Sequence, residues 1–463
     1  MEREVRKNRG KASKSEKPPS HPLFLRLVKG HDRPLLDAIF SPDGNTIATA
    51  CEGNRVRLHK ALAKPDELDV ASAEIDLGSE NASVLAFSPD SRTIVAACRG
   101  QQRLRYILVG DPPSTKGGRG KKAAGTPVGP VATLTASESS LPVAHTAPLG
   151  DLCAAPLGGT EGRWMLLSVV TDGKDMDLHL FSGDQKSKVK KWSVNSGGNN
   201  GAALSGDASY AAVATWRTEV PIRALVRSSL TGPVQHLTDA MVLAGHHGSV
   251  NAVAFGPAGP MVGSVPIKPL RAYTGSDDGT WAEWDIGVKW TAGESPRLLG
   301  RYGAESCDRR PVRHLATSAD GRVLACVREG VPRSKRLQEQ LTKAAGTATG
   351  DRAGKPPAEW PSMLELCGTV GEHAFHEHSE AGGGGRDRSG TGGPAEVGGG
   401  GAGSEDEDRV QQYPGAVRIP LEGLGRVKRV RVSPDGHSVI LVFVGSGMAK
   451  IYKVPKEVRR QLA

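Results

Sequence analysis

The chain has 463 residues, with 60 Lys and Arg against 50 Asp and Glu, a formal net charge of +10, and only 4% aromatic residues. Length alone suggests about three domains, and a core so poor in aromatics must be filled by small and β-branched side chains. No stretch approaches the ~18 consecutive apolar residues of a membrane-spanning helix, and the polar N-terminus is unlike a secretory leader, so an intracellular, cytosolic protein is expected.

Residues 1–20 form a basic arm (Arg3, Arg6, Lys7, Arg9, Lys11, Lys14, Lys17), expected to be a disordered, solvated tail. An apolar run, LFLRLV at Leu23–Val28, then stands before the first Gly-His pair. LLDAIF and TIATA flank a Ser-Pro-Asp-Gly turn at 41–44, and SVLAF and TIVAA flank Ser88-Pro89-Asp90. These runs mix β-branched with small apolar residues and end in Gly, Pro, Asp or Asn, which predicts strands. Residues 111–130 (DPPSTKGGRGKKAAGTPVGP) interrupt the pattern as a low-complexity insert. Weaker copies of the turn follow at 155–158, 205–207, 256–259 and 318–321. Two segments, about 331–360 and 380–409, lack apolar periodicity and are rich in Gly, Ala and charge, so both are expected to be disordered. MLELC at 363–367 and AVRIPL at 416–421 supply the third and fourth strands of a sixth unit. A clear turn returns at Ser433-Pro434-Asp435-Gly436, between VKRVRV and SVILVF, and 455–463 is left as a short tail. The six cysteines (Cys51, Cys98, Cys153, Cys307, Cys326, Cys367) show no paired spacing, as expected of reduced, mostly buried thiols.

The most informative stretch is Gly245 to Asp285, which opens on Gly-His, passes through an Asp-Asp-Gly turn and closes on Trp-Asp. His246, Thr274, Asp278 and Trp284 are spaced to form one hydrogen-bonded chain from an outer loop through two strands, so that each buried polar atom has a partner. Together these residue types mark one blade of a WD-repeat β-propeller. One blade cannot bury its faces alone, so others must accompany it. Seven turns give an all-β, seven-bladed WD-repeat β-propeller over 21–454 with low-complexity loop insertions. Leu23–Val28 is expected to pair with the last blade and close the ring. The first unit keeps His31 and Thr49 but has Gly53 in place of the Asp and His59 in place of the Trp, so it is expected to rely on packing.

Three stretches imitate active sites. Cys367 with His373, His376 and His378 could in principle hold zinc, but they adjoin a Gly-rich segment with no rigid frame. Gly117–Lys122 lacks the first Gly and the final Ser or Thr of a phosphate-binding loop. His246-His247 resembles an acid–base pair, yet His246 belongs to the structural chain. The expectation is a non-enzymatic protein with no catalytic residues, cofactor, metal or small-molecule substrate.

DDGTWAEWDIGVKW at 277–290, SPRLLGRYG at 295–303, NNGAALSGDASYAAV at 199–213 and the two opening units, in this order, resemble the transducin beta-like protein 2 family. The resemblance implies an adaptor at the cytosolic face of the endoplasmic reticulum, linked to stress signalling through a translation-controlling kinase and to mRNA. Where that family carries a hydrophobic N-terminal anchor, a short basic arm is expected here instead. Protein partners are therefore expected on the propeller faces. The arm and the loops 116–122 and 186–191 offer weak contact with RNA or anionic membranes. The alternative reading is an RNA- or ribosome-associated propeller that uses those basic segments.

Overall fold

The computed structural model describes residues 21–29, 31–61, 73–99, 103–109, 132–133, 137–141, 148–157, 163–170, 175–182, 185–187, 191–193, 200–227, 234–256, 261–262, 265–266, 271–303, 310–332, 359–369, 410–421 and 424–460. Among them the strands form seven sheets of four or five strands and two small two-stranded ribbons, an all-β propeller. The innermost strands, in chain order, are Leu35–Phe40, Asn81–Phe87, Leu149–Pro156, Gly201–Leu204, Val250–Phe255, Val312–Thr317 and Val427–Val432. Each packs beside the next, and the last packs beside the first. Six sheets carry one continuous fourth strand. In the third, that edge is split between Gln185–Ser187 and Lys191–Ser193.

Burial explains why these strands read as near-continuous apolar runs rather than as alternating ones. Successive side chains point to opposite faces of a sheet, and here both faces are covered. Leu85 and Phe87 pack towards the first sheet, with Ile39 and Ile75. Val84 and Ala86, one position out of step, pack towards the third, with Leu149 and Trp164. Every joint between neighbouring sheets has its own apolar cluster of this kind. Small residues such as Ala48, Ala96 and Ala325 are fully buried where sheets approach closely, which is how a chain with few aromatics fills its core.

The turns after the inner strands share one chemistry. The Ser41 hydroxyl donates to Asp43 Oδ1 at 2.5 Å and accepts the Thr46 backbone N–H at 2.9 Å. The same pair recurs at Ser88 and Asp90, Ser205 and Asp207, Ser318 and Asp320, and Ser433 and Asp435. Gly44 and Gly436 hold positive φ angles of 73° and 66° there. Ser91 and Ala208 adopt 61° and 53° at the same place without glycine's freedom.

The ring closes through Phe24–Val28, which pairs antiparallel with Ala449–Lys453 in a register that sets Arg26 opposite Ile451 and Val28 opposite Ala449. Lys453 N donates to Leu23 O at 2.7 Å, and the Phe24 and Tyr452 rings meet edge to face at 5.8 Å. Residues 363–368 and 417–420 pair as the third and fourth strands of the sixth sheet.

Several expectations need correction. Residues 331–360 are not structureless throughout: Val331–Pro332 pairs with Glu359–Trp360 as a ribbon, and 333–358 lie outside the described residues. The presumed C-terminal tail contains the helix Lys456–Arg460, whose Val458 is fully buried in the cluster between the sixth and seventh sheets. The inserts also return through strands that composition did not reveal. Ala132–Thr133 adds a parallel fifth strand to the first sheet, and Val410–Gln412 does the same for the fifth. In both cases the chain, on its way to the fourth strand of one sheet, first adds an edge strand to the preceding sheet. Residues 1–20, 111–130 and 380–409 lie outside the described residues.

Candidate functional site

Two polar constructions stand out: the chain of side chains in the fifth sheet and the lining of the central channel. In the fifth sheet the structure brings all four expected residues together. His246 Nδ1 lies 3.1 Å from Asp278 Oδ2, His246 Nε2 lies 2.8 Å from Thr274 Oγ1, and Trp284 Nε1–H donates to Thr274 Oγ1 at 2.8 Å. A carboxylate can only accept, so Nδ1 carries a proton, and Nε2 is left to accept from Thr274. With both ring nitrogens engaged and 5% of the residue exposed, His246 has no lone pair to offer a substrate.

Two further members were not foreseen. The Thr280 hydroxyl donates to Asp278 Oδ1 at 2.6 Å, and the Arg301 guanidinium lies 3.6 Å from Asp278 Oδ2 and 3.2 Å from His247 Nε2. Burial pushes the Asp278 carboxyl up. Hydrogen bonds from His246, Thr280 and the His247 backbone N–H outweigh it and hold the group well below the usual carboxylate range. Gly248 is needed beside this carboxylate, since a Cβ there would lie 2.7 Å from the Asp278 backbone nitrogen. His247 is exposed, as expected of a loop residue.

The first sheet corrects the expectation that it relies on packing alone. Thr49 Oγ1 lies between His31 Nε2 at 2.7 Å and His59 Nε2 at 3.2 Å. His59 thus occupies the Trp position in chemistry as well as in sequence, because an imidazole nitrogen can replace the indole N–H.

The channel is lined by the inner strands. Asp37 accepts the Ala38 N–H and, from the second sheet, the Leu85 N–H at 3.0 Å. Asp151 in the third sheet accepts the Leu152 N–H and the Ala202 N–H of the fourth. Asn251 Nδ2–H donates to Val312 O of the sixth at 3.0 Å. Arg429 of the seventh sheet crosses to the third, donating to Gly150 O at 2.6 Å and standing 3.7 Å from Asp151. Arg431 stands 3.8 Å from the same carboxylate. Burial opposes the Arg431 charge, but Asp37 and Asp151 outweigh it and raise its pKa. His314 is half-buried beside this cluster, and desolvation first, then the Arg429 charge, lower its pKa to about 4.

The two ends of the channel differ. Where the inner strands begin, a cavity of about 310 Å³ is lined by Asn200, Asn251, Arg313, His314, Arg426 and Lys428, with Val427 and Val444. Where they end, a cavity of about 250 Å³ is lined by Phe40, Leu85, Phe87, Leu152 and Val432 together with the charged Asp151 and Arg431. Beside the first mouth, Trp216 is 69% exposed, although its indole N–H donates to Asn200 Oδ1 at 3.1 Å. Asn200 is itself tied to Val250 O at 3.1 Å.

The other sequence candidates contribute no site. Cys367 is buried beside Glu365, while His373, His376, His378 and 117–122 lie outside the described residues. Among the described residues no group of three or more His, Cys, Asp or Glu could hold a metal ion, and no helix is long and apolar enough to cross a membrane.

Residues 23–60 and 238–285 match the model of the WD domain, G-beta repeat. The chain is 25% identical to mouse (Mus musculus) transducin beta-like protein 2 over 66% of its own length and 26% identical to the human (Homo sapiens) protein over 67%. It spans only 61% and 63% of those relatives. Among solved structures it is similar to U3-55K, with a TM-score of 0.52 at 12% identity, covering 93% of this chain and 98% of that one. It is likewise similar to the β-propeller domain of Myceliophteria thermophila Cps50 (Swd1), with a TM-score of 0.50 at 9% identity, covering 93% and 99%. Both likenesses concern the fold.

Proposed function

From a chain that carries WD repeats and is similar to transducin beta-like protein 2, we propose a seven-bladed propeller that works as a non-enzymatic scaffold for protein partners. Each four- or five-stranded sheet counts as one blade. The observation that carries this reading is a group of three of the seven exposed large apolar residues among the described ones, the other four (Leu25, Leu108, Val242 and Val410) lying in strands. Trp216, Val444 and Met448, exposed by 69%, 56% and 40%, lie on loops joining second and third strands around one mouth of the channel. Exposed apolar residues gathered on the loops of a rigid ring mark an interaction surface. Polar groups such as His246 and Asp151 are engaged by partners within the ring, which supports a platform rather than a catalyst.

The test is co-purification with the full chain, compared with Trp216→Ala and Val444→Asp, and with Val242→Asp on an outer strand as control. Partners lost with the first two variants and kept with the third support the reading. Partners indifferent to all three overturn the choice of face. The narrower proposal, an adaptor for a stress-sensing kinase at the cytosolic face of the endoplasmic reticulum, rests on the sequence resemblance and requires that kinase among the retained partners. Weak, salt-sensitive RNA or membrane contact through the basic arm is a separate proposal, and it predicts retention on RNA that vanishes when the arm's Lys and Arg become Gln.

A further inference from the structure

The mouth around Trp216 combines three features rarely left together on a surface without use. Its cations come from two neighbouring sheets. Arg313 is fixed by Asp277 at 2.8 Å and Glu329 at 2.6 Å, Arg426 pairs with Glu329, and Lys428 lies two positions further along the chain. Neither Asp277 nor Glu329 is among the residues that line the cavity, whose charged lining consists of Arg313, Arg426 and Lys428.

The second feature is Trp216. An indole anchored through its N–H to Asn200 loses little conformational freedom when a partner covers its faces, which is what makes Trp a frequent interaction hot spot. Third, the rim opposite is aliphatic, supplied by Val444 on the cavity and by Met448 on the same loop.

We propose that this mouth binds an acidic, extended segment of a partner protein, with Trp216 and Val444 taking an apolar side chain and Arg313, Arg426 and Lys428 receiving its flanking carboxylates. The inference rests on the scaffold reading and adds the chemistry of the ligand. RNA would suit the surface less well. A nucleic-acid track needs a row of cations and stacking rings along the strand, whereas here one ring faces an aliphatic rim.

The test uses the full chain and labelled peptides of about 12 residues in which Glu and Asp flank a central Leu-Phe pair, with all-Gln and all-Lys versions of the same peptide. The acidic peptide should bind at least about tenfold more tightly than the Gln version, and the Lys version should not bind. Trp216→Ala and Arg426→Glu should each weaken binding by about tenfold or more, while Val242→Asp should not. Both substituted side chains are exposed, and an unchanged thermal midpoint would show that the variants fold. In the unsubstituted protein the acidic peptide should shield tryptophan fluorescence from acrylamide, an effect that should disappear in Trp216→Ala.

Equal binding of all three peptides, lost on Trp216→Ala, would overturn the acidic ligand and leave the scaffold reading intact. Acidic-peptide binding that ignores Trp216 and Arg426, or no peptide binding at all, would overturn the site. So would a uridine oligonucleotide that outcompetes the peptide and depends on Trp216, which would assign the mouth to RNA. Co-purification that still yields partners in any of these cases separates the failure of this inference from that of the scaffold.

Discussion

Arg429 in the seventh sheet donates to the carbonyl oxygen of Gly150 in the third, 2.6 Å away, so one side chain ties two sheets that are not neighbours in the ring. Together with Arg431 and Asp151 it spans the channel between the mouth lined by Arg313, Arg426 and Lys428 and the cavity lined by Phe40, Leu85 and Phe87.

Breaking that bridge should loosen the whole ring. Arg429→Ala leaves Gly150 O short of its donor and removes one cation from Asp151, at a cost of about 1–3 kcal/mol. Urea unfolding should show a lower midpoint with an unchanged slope, and Arg429→Lys should recover part of the loss. Wild-type stability in the Ala variant would mean that the bridge contributes nothing to holding the ring.

Asp278→Ala should cost about 1–3 kcal/mol, because buried His246 and Thr280 lose an acceptor. The pH dependence has a definite sign. A carboxyl held below its unfolded value adds stability that is fully present above ~4 and fades as the pH falls further. The stability gap between wild type and Asp278→Asn should therefore be constant from neutral pH down to about 4 and narrow below it. A gap that is the same at pH 3 as at pH 6 would refute this account of the carboxylate.

Histidines give a second acid transition at higher pH. Burial, followed by nearby Arg charges, lowers the pKa of His31 to about 3 and that of His314 to about 4. The unfolded chain takes up these protons from ~6.5 downward while the folded chain resists them. Stability should thus be complete above ~6.5 and fall from there towards 4. The double variant His31→Gln, His314→Gln should show a shallower slope across this interval. An unchanged slope would mean that these histidines are not held neutral by the fold.

Removing residues 1–28 deletes the closing strand and exposes the edge of Ala449–Lys453, so the truncated protein should melt many degrees lower and aggregate. Removing 1–20 leaves that strand intact and should change the midpoint little. Light scattering alongside the melting curve reports both effects, and equal behaviour of the two truncations would rule out closure by this pairing.

Much of this architecture is legible along the chain because it is local. A near-continuous apolar run bounded by turn residues, a Ser-Asp turn, the offsets from His246 to Trp284 within one repeat and a spare strand-like run at Leu23–Val28 can each be read from strand geometry and repeat spacing. They hold before any tertiary contact is known. Tertiary structure alone decided what depends on positions meeting around the ring. No periodicity brings Arg429 to Gly150, places a parallel strand at Val410–Gln412 beside Arg301–Gly303, or folds the last residues into a helix that buries Val458. His59 illustrates the boundary between the two. Its departure from the Trp pattern is visible in sequence, but its bond to Thr49 required the register of Thr46–Cys51 against Arg55–Lys60. The exposure of Trp216 belongs to the tertiary side as well, since an indole in a chain with so few aromatics reads as core until the ring leaves it uncovered at the channel mouth.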